Sequence, residues 1–171
     1  LRPAMYIGHV NTKGFMEMLK GIISSAITST EANSISIKLE DNLSGKLRLN
    51  NLKNESENSW RQIQAGPINS HLMEVFVLNA LSKNFSISFL DANYEKVGGE
   101  TFQEGVLVFD QGEVKIEYSF IEVKFQLDEI IWGADFTWNH TYITHHLREF
   151  AFLHRQTKFE VKYREENEDC R

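Results

Sequence analysis

Residues 13–30, KGFMEMLKGIISSAITST, set the first constraint on the fold. Phe15, Met18, Leu19, Ile22, Ile23 and Ala26 recur at i, i+3, i+4, i+7, i+8 and i+11. That spacing predicts an amphipathic helix with one apolar stripe, which needs a second layer to lie on. The opposite face carries Glu17, Gly21, Ser24, Ser25 and Thr28, and is nearly empty of charge.

The second layer is legible downstream. In SISIKLE, Ile35, Ile37 and Leu39 alternate with polar residues, the pattern of a half-buried strand. Turn chemistry at 41–45 (DNLSG) predicts a return strand over 46–49. Residues 50–68 are polar and turn-rich and read as a connector. A second helix is expected over 70–82, with Leu72, Val75, Phe76 and Leu81 inward. Strands follow at 85–90, 106–109, 114–118 and 121–127, with turns at Gly98-Gly99 and at Asp110-Gln111-Gly112. A helix over 141–154, apolar at Ile143, Leu147, Phe150 and Ala151, precedes a terminal strand over 158–163.

Helices among antiparallel hairpins favour an α+β class, a two-layer sandwich of a mixed, mostly antiparallel sheet with helices on one face. With 171 residues, 42 % of them hydrophobic, one domain is the expected organisation, ending in an acidic tail over 164–171.

Charge and cysteine narrow the partners. The formal net charge of −6 argues against direct nucleic-acid or anionic-membrane binding, and no apolar run reaches membrane-spanning length. Cys170 is the single cysteine and sits in the tail, so no internal disulfide forms and a reducing, cytoplasmic setting is expected. No role is assigned to it. The chain opens at Leu1 rather than at methionine and reads as a piece of a longer protein. The sequons at Asn54, Asn84 and Asn139 read as chance matches in such a protein.

Three ordered segments carry a resemblance. Arg2-Pro3-Ala4-Met5-Tyr6-Ile7-Gly8 is similar to an RPGMYIG entry motif, and Val77-Leu78-Asn79-Ala80-Leu81-Ser82 to VVNALS. The run from His145 to His154, HHLREFAFLH, is similar to RLRELAFLN. The chain therefore resembles the ATPase domain of type II topoisomerases, that of gyrase B and its topoisomerase IV counterpart, within the GHKL (Bergerat-fold) ATPases. The resemblance covers essentially the whole chain.

The same resemblance implies where a nucleotide site would stand, and the residues there depart from it. The family's first helix reads approximately EVVDNSIDEA, its glutamate the general base and its asparagine a magnesium ligand. A gapless placement puts Gly21 at the glutamate, Ser24 at the aspartate and Ser25 at the asparagine. Glycine accepts no proton, and serine is a poorer magnesium ligand than an amide or carboxylate oxygen. The family's DxGxG, whose aspartate accepts a hydrogen bond from adenine, falls on 50–54, where Asn50 or Asn51 is the remaining candidate acceptor. Its lid motif GxxGxG falls on 69–74, without glycine and with Glu74 where phosphate would be repelled. Its GTxVxF falls on 120–125, with Ile121 at the threonine.

Four departures in one site imply a pseudo-ATPase, a gyrase-B-like domain without cofactor that serves as a binding or dimerisation module for a protein partner or a second copy. The alternative is a divergent ATP- and magnesium-binding domain of a topoisomerase-like enzyme, using Glu17, Asn51 and Ser25 in place of the usual residues.

Two further readings stay open. Glu17 is either a displaced base or a solvated helix-surface glutamate, the latter being the commoner case. Gly21, Ser24 and Ser25 are either drift after loss of function or a small-residue groove that accepts a partner helix or another ligand; mid-helix glycine costs about 1 kcal/mol relative to alanine, which favours a packing reason for keeping it. His140, His145 and His146 read as surface histidines, because 145 and 146 point to different helix faces. Trp60, an aromatic in a polar connector, reads as an anchor for a contact or as packing over the emptied site.

Overall fold

The computed structural model describes residues 8–40, 43–52, 73–111 and 118–164. Helix α1 spans Thr12–Thr30, and Asn11 caps it by accepting from the N–H groups of Lys13 and Gly14. Strands β1 (Ser34–Glu40) and β2 (Ser44–Asn50) form the expected hairpin. Then come α2 (Met73–Ala80), β3 (Ser82–Leu90), β4 (Lys96–Gln103), β5 (Val106–Asp110) and β6 (Phe120–Leu127). A short α3 (Glu129–Trp132), α4 (His140–Leu153) and β7 (Lys158–Arg164) complete the chain.

Among the described residues, seven strands form one sheet in the order β5-β4-β3-β6-β2-β1-β7, and of their pairings only β1 with β7 is parallel. The sheet is mixed and mostly antiparallel, as the alternation implied. Every apolar residue of the α1 stripe is buried, and Met16 joins it. These side chains meet Ile35, Ile37, Leu39, Leu47, Leu49, Ile87, Ile121 and Val123 from the sheet in one cluster with α2 and α4. Fully burying each such side chain contributes about 1.5–3 kcal/mol. Phe15 sits at the aromatic centre, 4.7 Å from Trp138 and 5.7 Å from Phe125.

Several expectations are corrected. Gly98-Gly99 is no turn: both lie inside β4, and Gly99 at φ 151° is pressed against the backbone of β3, where a Cβ would meet the Ser88 Cα at 3.0 Å. The turn comes earlier, where the Asp91 carboxylate accepts from the N–H groups of Asn93 and Glu95. Residue 82 opens β3 rather than ending α2. The helix α3 was not foreseen; Asp128 caps it by accepting from the Ile130 N–H. The entry motif up to Ile7, the connector from 53 with Trp60, residues 69–72, most of the 114–118 strand and the tail with Cys170 lie outside the described residues.

Candidate functional site

The positions singled out from the sequence converge on the outer face of α1 and the chain leaving β2. Gly21 faces the first turn of α2. A Cβ built there would stand 2.7 Å from Glu74 Cδ and 2.8 Å from Glu74 Oε1, so the Glu74 side chain occupies the volume a side chain at 21 would need. α2 thus packs across the glycine. Ser24 is exposed and Ser25 half-buried on the same helix.

Glu17 is a surface group. Its carboxylate pairs with Lys20 at 3.1 Å, one turn along the helix, and its side chain is 64 % exposed. The carboxylate that lies against Gly21 belongs to Glu74 instead. Sequence reasoning saw Glu74 only as a repulsive neighbour of the lid, because nothing in the sequence tells which residue of α1 the start of α2 crosses.

Asn50 and Asn51 point different ways. Asn50 Oδ1 accepts from the N–H groups of Asn33 (3.0 Å) and Ser34 (2.9 Å), and its amide donates to Asn33 Oδ1 at 2.6 Å. Its hydrogen-bonding capacity is spent tying the end of β2 to the start of β1. Asn51 turns inward and is 7 % exposed, with a side-chain oxygen that has no hydrogen-bond partner among the described residues. Its own N–H donates to the Ser119 carbonyl at 2.8 Å, which fixes it beside the start of β6. Asn79 on α2 is buried with an unpaired Oδ1 as well.

Ile121 is fully buried, in register with Leu49 on β2 and Phe89 on β3. It builds the core and offers no hydrogen bond. Among the described residues no group of three or more His, Cys, Asp or Glu side chains is placed to hold a metal ion. His145, exposed, and His146, half-buried, both lie near Glu149 on α4, at 3.4 and 3.1 Å.

The opposite face of the sheet holds a second polar arrangement. Glu122 on β6 is buried and accepts from Arg48 Nε at 2.9 Å, with Lys124 Nζ at 3.1 Å and Lys46 Nζ at 3.7 Å. Burial is the largest single influence on its carboxyl and pushes its pKa up. The hydrogen bonds from Arg48 and Lys124, with the charges of Lys46 and Lys124, together outweigh burial and hold it below the usual carboxylate range.

No family model matches the sequence, and no curated protein matches it. Solved structures do match. One is the 43K ATPase domain of Thermus thermophilus gyrase B in complex with an aminocoumarin, with a TM-score of 0.72 and 22 % sequence identity. The match covers 95 % of this chain and 47 % of that one, so the chain spans about half the length of the gyrase domain. The chain shares its fold with the part of that gyrase B domain it covers.

Proposed function

We propose that this chain is a gyrase-B-like pseudo-ATPase domain that does not hydrolyse ATP and acts as a protein-binding or dimerisation module. The observation that carries this reading is the contact between Gly21 and Glu74. At the helix position where the resemblance puts a general base there is no side chain, and the space beside it is filled by a carboxylate from the segment on which the family's phosphate loop falls. A carboxylate there opposes a polyphosphate instead of cradling it. The commitment of Asn50 to the β1–β2 junction and the burial of Ile121 support the same reading. The residues present do not fit a magnesium–nucleotide pair, and no chemical step is derived through one.

One observation favours the alternative, a divergent nucleotide-binding domain of a topoisomerase-like protein. The Asn51 oxygen, buried and without a partner among the described residues, is a free acceptor of the kind an exocyclic amino group satisfies. In that reading Glu74 rather than Glu17 is the carboxylate nearest Gly21.

Calorimetric titration of the 171-residue chain with ATP, ADP and a non-hydrolysable analogue, with and without magnesium, separates the two. No heat of binding is expected up to about 1 mM nucleotide, equivalent to roughly −4 kcal/mol. A dissociation constant below that value sinks the pseudo-ATPase reading.

A further inference from the structure

The sheet face turned away from the helices carries four lysines in a single cross-strand row. Lys162 on β7 lies opposite Lys38 on β1, Lys38 opposite Lys46 on β2, and Lys46 opposite Lys124 on β6. The row runs on into Ser86 of β3 and Thr101 of β4. With neighbouring strands about 4.8 Å apart, the lysines alone span roughly 14 Å. Like charges set directly opposite one another destabilise a sheet, so stability of the fold gives no reason for this row.

Carboxylates hold the ammonium groups without cancelling them. Lys38 meets Glu40 at 2.8 Å, Lys162 meets Glu160 at 3.0 Å, and Lys46, Lys124 and Arg48 share the single carboxylate of Glu122. On this face of β7, β1, β2 and β6, Lys158, Lys162, Lys38, Lys46, Arg48 and Lys124 stand against Glu160, Glu40 and Glu122. The face is net positive on a chain whose formal net charge is −6. A hollow of 340 Å³ opens over it, its lining including Lys38, Lys46 and Lys124, the single carboxylate of Glu40, and the polar side chains of Asn84, Ser86 and Thr101. That volume lies at the low end of the about 300–1,000 Å³ typical of ligand sites.

We propose that this face binds an extended acidic segment of a partner protein. Its carboxylates engage the lysine row, and its amides meet Asn84, Ser86 and Thr101 in the hollow. Charge complementarity identifies the partner: the patch is positive where the molecule as a whole is negative. A short acidic peptide matches the roughly 14 Å row in length and charge. The aromatic pair beside the row, Tyr94 and Phe120, is stacked on itself at 4.5 Å, with the Arg48 guanidinium 5.0 Å from the Tyr94 ring centre. It leaves no open platform for a nucleobase. This names a partner class for the module reading and rests on that reading only in taking the domain to bind protein.

The test is a polarisation titration of the full chain against a labelled peptide of about ten residues alternating Glu and Ser, at about 50 mM and about 300 mM salt. Binding is expected at low salt and weakens at least about tenfold at high salt. Lys46→Gln and Lys124→Gln each weaken it roughly 2- to 5-fold. Lys20→Gln removes the same charge from α1 and leaves the affinity unchanged. Thermal unfolding reports whether each variant is folded, and the more exposed Lys124 serves if Lys46→Gln does not fold. Absence of binding at low salt overturns the proposal. So does an equal loss from Lys20→Gln, or tighter binding of a single-stranded oligonucleotide of equal charge. The nucleotide titration has no bearing on this result, so the two readings fail separately.

Discussion

Glu74 lies across Gly21, its carboxylate carbon in the place a side chain at position 21 would take. The contact joins α1 to α2, the second helix of the layer, and explains why the otherwise regular first helix carries a glycine in its middle.

The contact has a signature in stability. Gly→Ala inside a helix ordinarily gains about 1 kcal/mol. With Glu74 in place, Gly21→Ala is expected to gain clearly less than that, since the flexible Glu74 side chain must first swing aside. In a Glu74→Ala background the same change is expected to stabilise by about 0.5–1 kcal/mol. Urea unfolding of the four proteins in the cycle measures this, and additive effects would rule out the contact.

Asn50 and Asn51, adjacent in sequence, are expected to respond in opposite ways. Asn50→Ala removes three hydrogen bonds at the β1–β2 junction and is expected to destabilise by about 1–2 kcal/mol. Asn51→Leu removes a buried, unpaired oxygen and is expected to be neutral or to stabilise by up to about 1 kcal/mol. Thermal melting of both variants decides it. A marked loss for Asn51→Leu would mean that its oxygen is satisfied after all.

Glu122 makes the fold sensitive to acid. Its pKa is lower in the folded chain than the about 4.3 of a free glutamate, so the folded state favours the ionised form. The stability this contributes is present in full above that unfolded value and is lost as pH falls through the folded one. Unfolding free energies measured from pH 7 down through the acid range should show the loss, and Glu122→Gln should abolish part of that slope. The substitution is expected to cost about 1–3 kcal/mol at neutral pH, because Arg48, Lys46 and Lys124 lose their shared counter-charge.

Much of the fold was legible because it follows local periodicity. The stripe of α1 and the alternation at Ile35, Ile37 and Leu39 are short-range signals, and each element forms where they stand. Gly98-Gly99 misled because glycine marks a tight backbone approach as readily as a turn; here Gly99 lies against β3. Short α3 has too few residues for a periodicity to show.

The site was legible only in part, because its contacts are long-range. The resemblance led to Gly21 and Asn51, but no pattern in the sequence brings Glu74 to Gly21. The lysine row depends on register: Lys38, Lys46, Lys124 and Lys162 each read as an ordinary polar position of a strand until four strands are aligned. Arg48 and Glu122, paired across β2 and β6, stand 74 residues apart. Such pairings follow from the order of strands in the sheet, which local chemistry does not encode.

The parallel pairing of β1 with β7, in register from Ser34 opposite Lys158 to Glu40 opposite Arg164, also carries a consequence for biosynthesis. Strand β1 is made well before its outer neighbour, which comes only after α4, so a growing polypeptide leaves that margin of β1 bare until residues 158–164 are made. The last strand acts as a clasp. Premature termination before residue 158 would release a product with that margin bare, a natural substrate for chaperones and proteases rather than a smaller working unit.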